Sequence, residues 1–233
     1  MKIMIIRHCD PDYSIDSLTE KGWREAELLS QRLIKENIDD FYCSPLGRAK
    51  DTVSLTLKKL GKDAETLDWL HEFRGNIVSP FTGKTRISWD LAPSILCADD
   101  RYYDVKRWSE PELIAGGNSP TIFKETTDGV DALLERYGWH RDGMAYRGGE
   151  DATIALVCHF AIGVTVMSYL LNISPVVAQN NFFLAPSSVT TLVTQTDASG
   201  VSHFRAIGVG DISHLYIKGE PMSESGLYPL FEK

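Results

Sequence analysis

The chain has no run of basic residues, no internal repeat, no low-complexity tract and only four cysteines in 233 residues. Each absence excludes something. There are 24 Lys and Arg against 32 Asp and Glu, a net charge of −8. Without a cationic stripe, neither a nucleic acid nor a membrane is expected as partner. An anionic small molecule stays open, because a few arginines in a cleft dominate the field there. The cysteines, Cys9, Cys43, Cys97 and Cys158, follow no secretory segment and do not read as a disulfide framework. Cys9, Cys43 and Cys158 fall at or near the ends of apolar runs, which fits free thiols in a reducing cytoplasm. The longest apolar stretch, residues 154–171, is almost long enough to cross a bilayer. His159 sits inside it, with Gly163, Thr165 and Ser168 beyond. An ionisable group in mid-bilayer is costly. The stretch therefore reads as a strand over 154–157, a turn at Cys158-His159 and a core helix from about Phe160.

What is present is an ordinary globular composition, 43% hydrophobic and 24% charged, enough for one generous α/β domain. The run Ile3-Met4-Ile5-Ile6 is too continuous for a half-buried strand and reads as a buried parallel one. Thr19 is a fitting N-cap for a helix with Trp23, Ala26, Leu29, Leu33 and Ile34 at helical spacing. A short strand at Phe41-Tyr42-Cys43 leads through Ser44-Pro45 into a second helix, with Ala49, Val53, Leu57 and Leu60 on one face and Gly61 to close it. Strand alternating with helix predicts a three-layer α/β/α fold with a mostly parallel sheet. Residues 74–150 are rich in Gly, Pro and aromatics, among them Trp89, Tyr102, Trp108, Phe123, Trp139 and Tyr146. They read as a cap insertion within a single domain, helical around 101–108 and 121–137, with core strands resuming at Ile154. A strand pair is expected over 189–195 and 201–209, and a surface wrap from Lys218 on.

Three fragments carry the chemistry: Arg7-His8, Ser44-Pro45-Leu46-Gly47-Arg48-Ala49 and Cys158-His159. Each ends a strand, and ligands of open α/β sheets bind at the strands' carboxyl ends. A guanidinium fork suits anionic oxygens and an imidazole is a potential nucleophile, so the pattern suggests phosphate. The helix after His159 is expected to aim N–H groups and the positive end of its dipole at the same place.

Together with Leu18-Thr19-x-x-Gly22 and Ser44-Pro45-x-x-Arg48-Ala49-x-x-Thr52, these fragments resemble the histidine phosphatase superfamily, with its phosphoglycerate mutase-like fold. The resemblance implies catalytic roles for His8, Glu72 and His159, and a phosphate site of Arg7, Arg48 and His159. His8 is the implied nucleophile. Glu72, in Leu70-His71-Glu72-Phe73-Arg74-Gly75, is the implied proton donor. Gly117-Asn118-Ser119 resembles the family's Gly-Glu-Ser element with Asn at its centre. No metal and no cofactor is implied. Cys9 and Phe160 stand where the family has glycine after each histidine.

The implied activity is a cytoplasmic, metal-independent phosphatase that hydrolyses a small phosphate monoester through a phosphohistidine. A phosphoglycerate-type phosphomutase is the alternative enzyme, and a phospho-ligand-binding regulator with weak turnover the alternative of another class. A cysteine phosphatase needs Cys-x5-Arg, and Cys43 to Arg48 is one residue short. An aspartate-and-Mg²⁺ phosphatase built on Asp10-Pro11-Asp12 and Gly210-Asp211 leaves Arg48 and His159 unexplained. The expected partner is a small phosphorylated metabolite, and a homodimer is left open. Specificity is expected in the loop 10–18 and in the cap, where Arg74, Arg86, Arg101, Arg107, Arg141 and Arg147 are candidates to read a second anionic group. A sharper reading of Cys9, beside the nucleophile, makes activity sensitive to thiol reagents.

Overall fold

The computed structural model describes residues 1–88 and 91–227; Trp89 and the last six residues of the tail lie outside it. Its elements in chain order are β1 (Lys2–Arg7), α1 (Glu20–Leu33), β2 (Asp40–Cys43), α2 (Gly47–Leu60), β3 (Ala64–Thr66), α3 (Ser119–Glu135), β4 (Trp139–Asp142), β5 (Ala145–Gly148), β6 (Thr153–Cys158), α4 (Phe160–Leu171), β7 (Val189–Thr196) and β8 (Val201–Asp211). The eight strands form one sheet in the order β3-β2-β6-β1-β7-β8-β5-β4. From β3 to β1 every neighbour is parallel, and from β1 to β4 every neighbour is antiparallel. Because direction alternates in that second half, six of the eight strands still point the same way.

Alternation along β1 explains the layers. Ile3 and Ile5 face one core, shared with Ile154 and Leu156 of β6, with Val130, Leu133 and Leu134 of α3, and with most of α4. Met4 and Ile6 face the other, shared with Ala26, Leu29 and Leu33 of α1 and Val53 of α2. A strand buried on both faces reads as a continuous apolar run, which is why 3–6 is legible in the sequence. Thr19 caps α1 by accepting the Gly22 N–H at 3.0 Å. Gly22 has a separate reason to be glycine: a Cβ there would lie 2.1 Å from the Asp10 carbonyl oxygen. Gly61 closes α2 in the left-handed conformation, at φ 62°, where glycine carries no Cβ penalty.

Residues 154–171 divide into strand and helix as expected, and among the described residues no helix is long and apolar enough to cross a membrane. The insertion differs from its expected form in two respects. Strands resume before Ile154, because β4 and β5 make a hairpin that extends the main sheet beside β8. Trp139 and Tyr146, which the composition places in the cap, are main-core residues. Helix is found at Ser119–Glu135, whereas 101–108 yields only a 3₁₀ turn at Asp100–Tyr103. Tyr102 and Trp108 join Ile77, Leu91, Leu96 and Ile114 in a small core of the insertion's own, closed by Val176.

Candidate active site

The register of the parallel half assembles the site. Arg7 of β1 lies opposite Cys158 of β6, and Val157 of β6 opposite Cys43 of β2. The next residue of each strand, His8, His159 and Ser44, therefore emerges on one line. The backbone continues that pairing: His8 N–H donates to the Cys158 carbonyl, and Ser44 N–H to that of Val157, each at 2.9 Å. The His8 and His159 rings stand 5.1 Å apart between centroids.

His8 is 1% exposed. Its Nδ1 lies 2.7 Å from the carbonyl oxygen of Cys9. A carbonyl only accepts, so Nδ1 carries the proton and Nε2 the lone pair. Burial, then the charge of Arg7, pushes its pKa down to about 3, and the ring is neutral at ordinary pH. His159 is complementary. Its Nε2 lies 2.7 Å from Ser44 Oγ, and that oxygen also accepts the Leu46 N–H. With the Ser44 hydroxyl donating to Nε2, the proton of His159 sits on Nδ1, which is buried and makes no hydrogen bond. Burial first, then the neighbouring His8 ring and the charge of Arg48, holds His159 far below the usual imidazole range.

Thr52 continues the line from α2. Its Oγ1 donates to the Arg48 carbonyl at 2.7 Å and accepts the Cys9 N–H at 2.9 Å. Cysteine is thus accommodated where the family has glycine. Its thiol is fully buried and pushed up by burial and by Glu25, the reverse of a reactive thiol's surroundings. The reagent-sensitivity expectation for Cys9 is corrected accordingly. The four cysteines are free, with Cys97 exposed and the others buried.

The arginines are placed, and engaged. Arg7 donates from Nη1 to the Leu184 carbonyl at 2.6 Å and from Nη2 to that of Ser225 at 2.8 Å. Its guanidinium carbon lies 5.4 Å from the centroid of the Phe160 ring and 5.6 Å from that of Phe183. Phe160, in place of the family's glycine, is one wall of an aromatic clamp on Arg7. The tail segment that supplies Ser225 is fixed by Ser223, which donates to Asp10. Arg48 pairs with Asp16 at 2.5 Å, and the other oxygen of Asp16 accepts the Gly47 N–H at 2.7 Å. Sequence reading missed Asp16. Its signal is faint: a lone carboxylate in a polar loop, held at φ 49°, where Asp is tolerated more than most residues.

Glu72 follows β3 and a 3₁₀ turn at Asp68–Leu70. Its Oε1 accepts three N–H groups, from Phe73 at 2.8 Å, Ala161 at 3.1 Å and Ile162 at 3.2 Å. Two of the first N–H groups of α4, those of Ala161 and Ile162, are therefore taken by Glu72, a partial correction to the expectation that this helix end offers free N–H groups to a ligand. Burial raises the pKa of Glu72. With Oε1 holding three donors, a proton on this carboxyl belongs on Oε2. His8, His159, Arg7, Arg48 and Glu72 are thus all brought to one end of the sheet. The aspartates of the Mg²⁺ alternative are engaged separately, Asp10 by Thr19 and Ser223 and Asp211 by Arg32.

Residues 3–90 match the family model of the histidine phosphatase superfamily (branch 1). A 2,3-bisphosphoglycerate-dependent phosphoglycerate mutase of Thermoplasma acidophilum is 36% identical over 98 residues, 35% of this chain, and the match spans about half, 49%, of that relative. Among solved structures, phosphoserine phosphatase of Entamoeba histolytica, in complex with 3-phosphoglyceric acid, is similar at TM-score 0.60 and 22% identity, covering 92% of this chain and 98% of its own. A mycobacterial glucosyl-3-phosphoglycerate phosphatase is similar at TM-score 0.61 and 19% identity, covering 90% and 98%. At these identities the solved structures establish the fold, phosphoglycerate mutase-like over nearly the whole chain.

Proposed function

We propose that the protein is a metal-independent phosphatase that hydrolyses a small phosphate monoester through a phosphohistidine on His8. One observation carries the reading: a neutral, buried His8 whose Nδ1 is tied to the Cys9 carbonyl, beside a His159 whose Nδ1 is buried without a partner. The first arrangement leaves Nε2 as nucleophile. The second supplies a donor that a phosphoryl oxygen satisfies.

In this reading His8 Nε2 attacks phosphorus in line. His159 Nδ1–H and Arg48 hold the equatorial oxygens, where charge resides in a loose transition state. Arg48 exchanges Asp16 for the phosphoryl group. Arg7 adds its charge, and a phosphoryl oxygen competes with the two carbonyls for its fork. Glu72 Oε2 gives its proton to the leaving alkoxide and takes one from the water that attacks the phosphohistidine; its raised pKa suits both steps. The four free cysteines fit a reducing compartment, and we place the enzyme in the cytoplasm.

The phosphoglycerate mutase relative supports a second reading, in which the phosphoryl group returns to the bound product instead of passing to water. Hydrolysis of an aryl phosphate by wild type and His8→Ala, each with and without EDTA, tests the first. Activity that survives EDTA and vanishes in His8→Ala is the expected result. Activity lost to EDTA and kept in His8→Ala overturns it. Phosphoryl exchange between phosphoglycerate isomers with little release of phosphate favours the mutase.

A further inference from the structure

Three non-glycine residues among the described ones take a positive φ: Asp16, Asn172 and Ser187. Asp16 holds Arg48, and Asn172 ends α4. Ser187, at φ 67°, ends no helix. Residues other than Gly, Asn and Asp rarely adopt that conformation, and it persists where the surroundings enforce it. Here the surroundings are those of His8. The Ser187 N–H donates to the His8 carbonyl at 3.0 Å, and the Ser188 carbonyl accepts the Arg7 N–H at 3.1 Å. The two serines hold the end of β1 from the side opposite β6.

Ser187 is fully buried, and its side chain is gripped in turn. Its Oγ lies 2.8 Å from His214 Nε2. His214 stands on a helical turn, Ser213–Tyr216, packed against α1. Arg32 of α1 faces the other ring nitrogen, with Nη1 3.5 Å from Nδ1, and pairs with Asp211 at 2.8 Å. A guanidinium only donates, so Nδ1 carries the lone pair and Nε2 the proton. Burial, then the charge of Arg32, pushes the pKa of His214 down to about 4, with Asp211 acting the other way. The ring is neutral and donates to Ser187. A serine nucleophile needs the reverse, an imidazole that takes its proton. That direction, together with burial, excludes a second hydrolytic centre. The Ser187 hydroxyl keeps its own proton for the Cys9 thiol beside it, and the Cys9 carbonyl is the group that fixes His8 Nδ1.

Resting on the reading of His8 as nucleophile, we infer that Ser187 and His214 are positioning residues for it: an anchor behind the site that fixes the backbone of residues 7–9 and so holds the His8 ring with Nδ1 on the Cys9 carbonyl and Nε2 free for phosphorus. Arg32 orients His214 within the anchor. Neither Ser187 nor His214 touches the phosphoryl group; each acts through His8.

Three variants test this. Ser187→Gly suits the positive φ and removes only the hydroxyl. His214→Phe keeps a ring and removes the donor. His214→Gln places an amide donor where Nε2 stands. The His8 tautomer is read by NMR on protein carrying nitrogen-15-labelled histidine, with His8→Ala assigning the signal, and kcat and KM are measured on an aryl phosphate. Wild type is expected to hold one His8 tautomer, protonated at Nδ1. Ser187→Gly and His214→Phe are expected to populate both tautomers and to lower kcat about 10-fold to 100-fold with KM within about threefold, the mark of a misplaced nucleophile. His214→Gln recovers most of both. A tautomer unmoved in Ser187→Gly and His214→Phe, a kcat that stays within about threefold of wild type in both, or a His214→Gln no better than His214→Phe overturns the inference. The tautomer is read without substrate. If wild type turns over no ester, the phosphatase reading falls and the tautomer alone decides the anchor; turnover with an unmoved tautomer does the opposite.

Discussion

In the parallel half of the sheet each strand hands one piece of the site to the same edge: β1 gives Arg7-His8, β2 leads to Ser44 and Arg48, β3 to Glu72 and β6 to His159. In the antiparallel half, successive strands run in opposite directions and their loops fall at alternate ends. That half contributes backbone: the Leu184 carbonyl on Arg7 and the Ser187 N–H on the His8 carbonyl at 3.0 Å. Both halves belong to one hydrogen-bonded sheet. The difference lies in the connections, since parallel strands need crossovers that return the chain to one end, and these place side chains from residues 7 to 159 together. Chemistry belongs to the first half and support to the second.

That division is exposed to mutation, in descending order of effect on activity. Glu72→Gln lowers kcat for an alkyl phosphate by about 10²–10⁴ and for an activated aryl phosphate by much less, because a good leaving group needs no proton. The pH profile gives the sign. Glu72 acts protonated, so its contribution falls as pH rises through its raised pKa, and Glu72→Gln removes that alkaline limb. The acid limb from His8 lies near 3 and stays. An alkaline limb unchanged in the variant assigns the proton to another group. Next, Arg48→Ala is expected to cost about 10²–10³ in kcat/KM. Arg147→Ala, which removes an exposed ion pair on β5 of the other half, changes it by less than about threefold; comparable losses would erase the distinction between the halves. Leu192→Ala in β7 removes a fully buried side chain and lowers stability by about 2–5 kcal/mol with kcat kept in the folded protein. Denaturant unfolding beside kinetics at low temperature reads both.

The parallel half was also the legible one. The strands 3–6 and 154–157 are apolar on both faces and show as runs; Thr19, Gly61 and the Ser-Pro before α2 punctuate the helices. His8, Arg48 and His159 could be found because each abuts such a landmark. The hairpin of β4 and β5 could not, since Trp139 and Tyr146 are its buried members among His140, Arg141 and Arg147, too short an alternation to show a period. The contact of Glu72 with the start of α4 joins residues 89 and 90 apart in sequence, and no local pattern encodes it. Asp16 was missed for the same reason, its partner Arg48 lying 32 residues on.

The central claim is that phosphate passes through His8. Rapid quench of wild type with a radiolabelled phosphomonoester in EDTA measures it directly. The account predicts a label on the protein that is stable in alkali, lost in acid, mapped to His8 and missing from His8→Ala. A label that persists in His8→Ala, or one that forms only with Mg²⁺ and resides on a carboxylate, would contradict it.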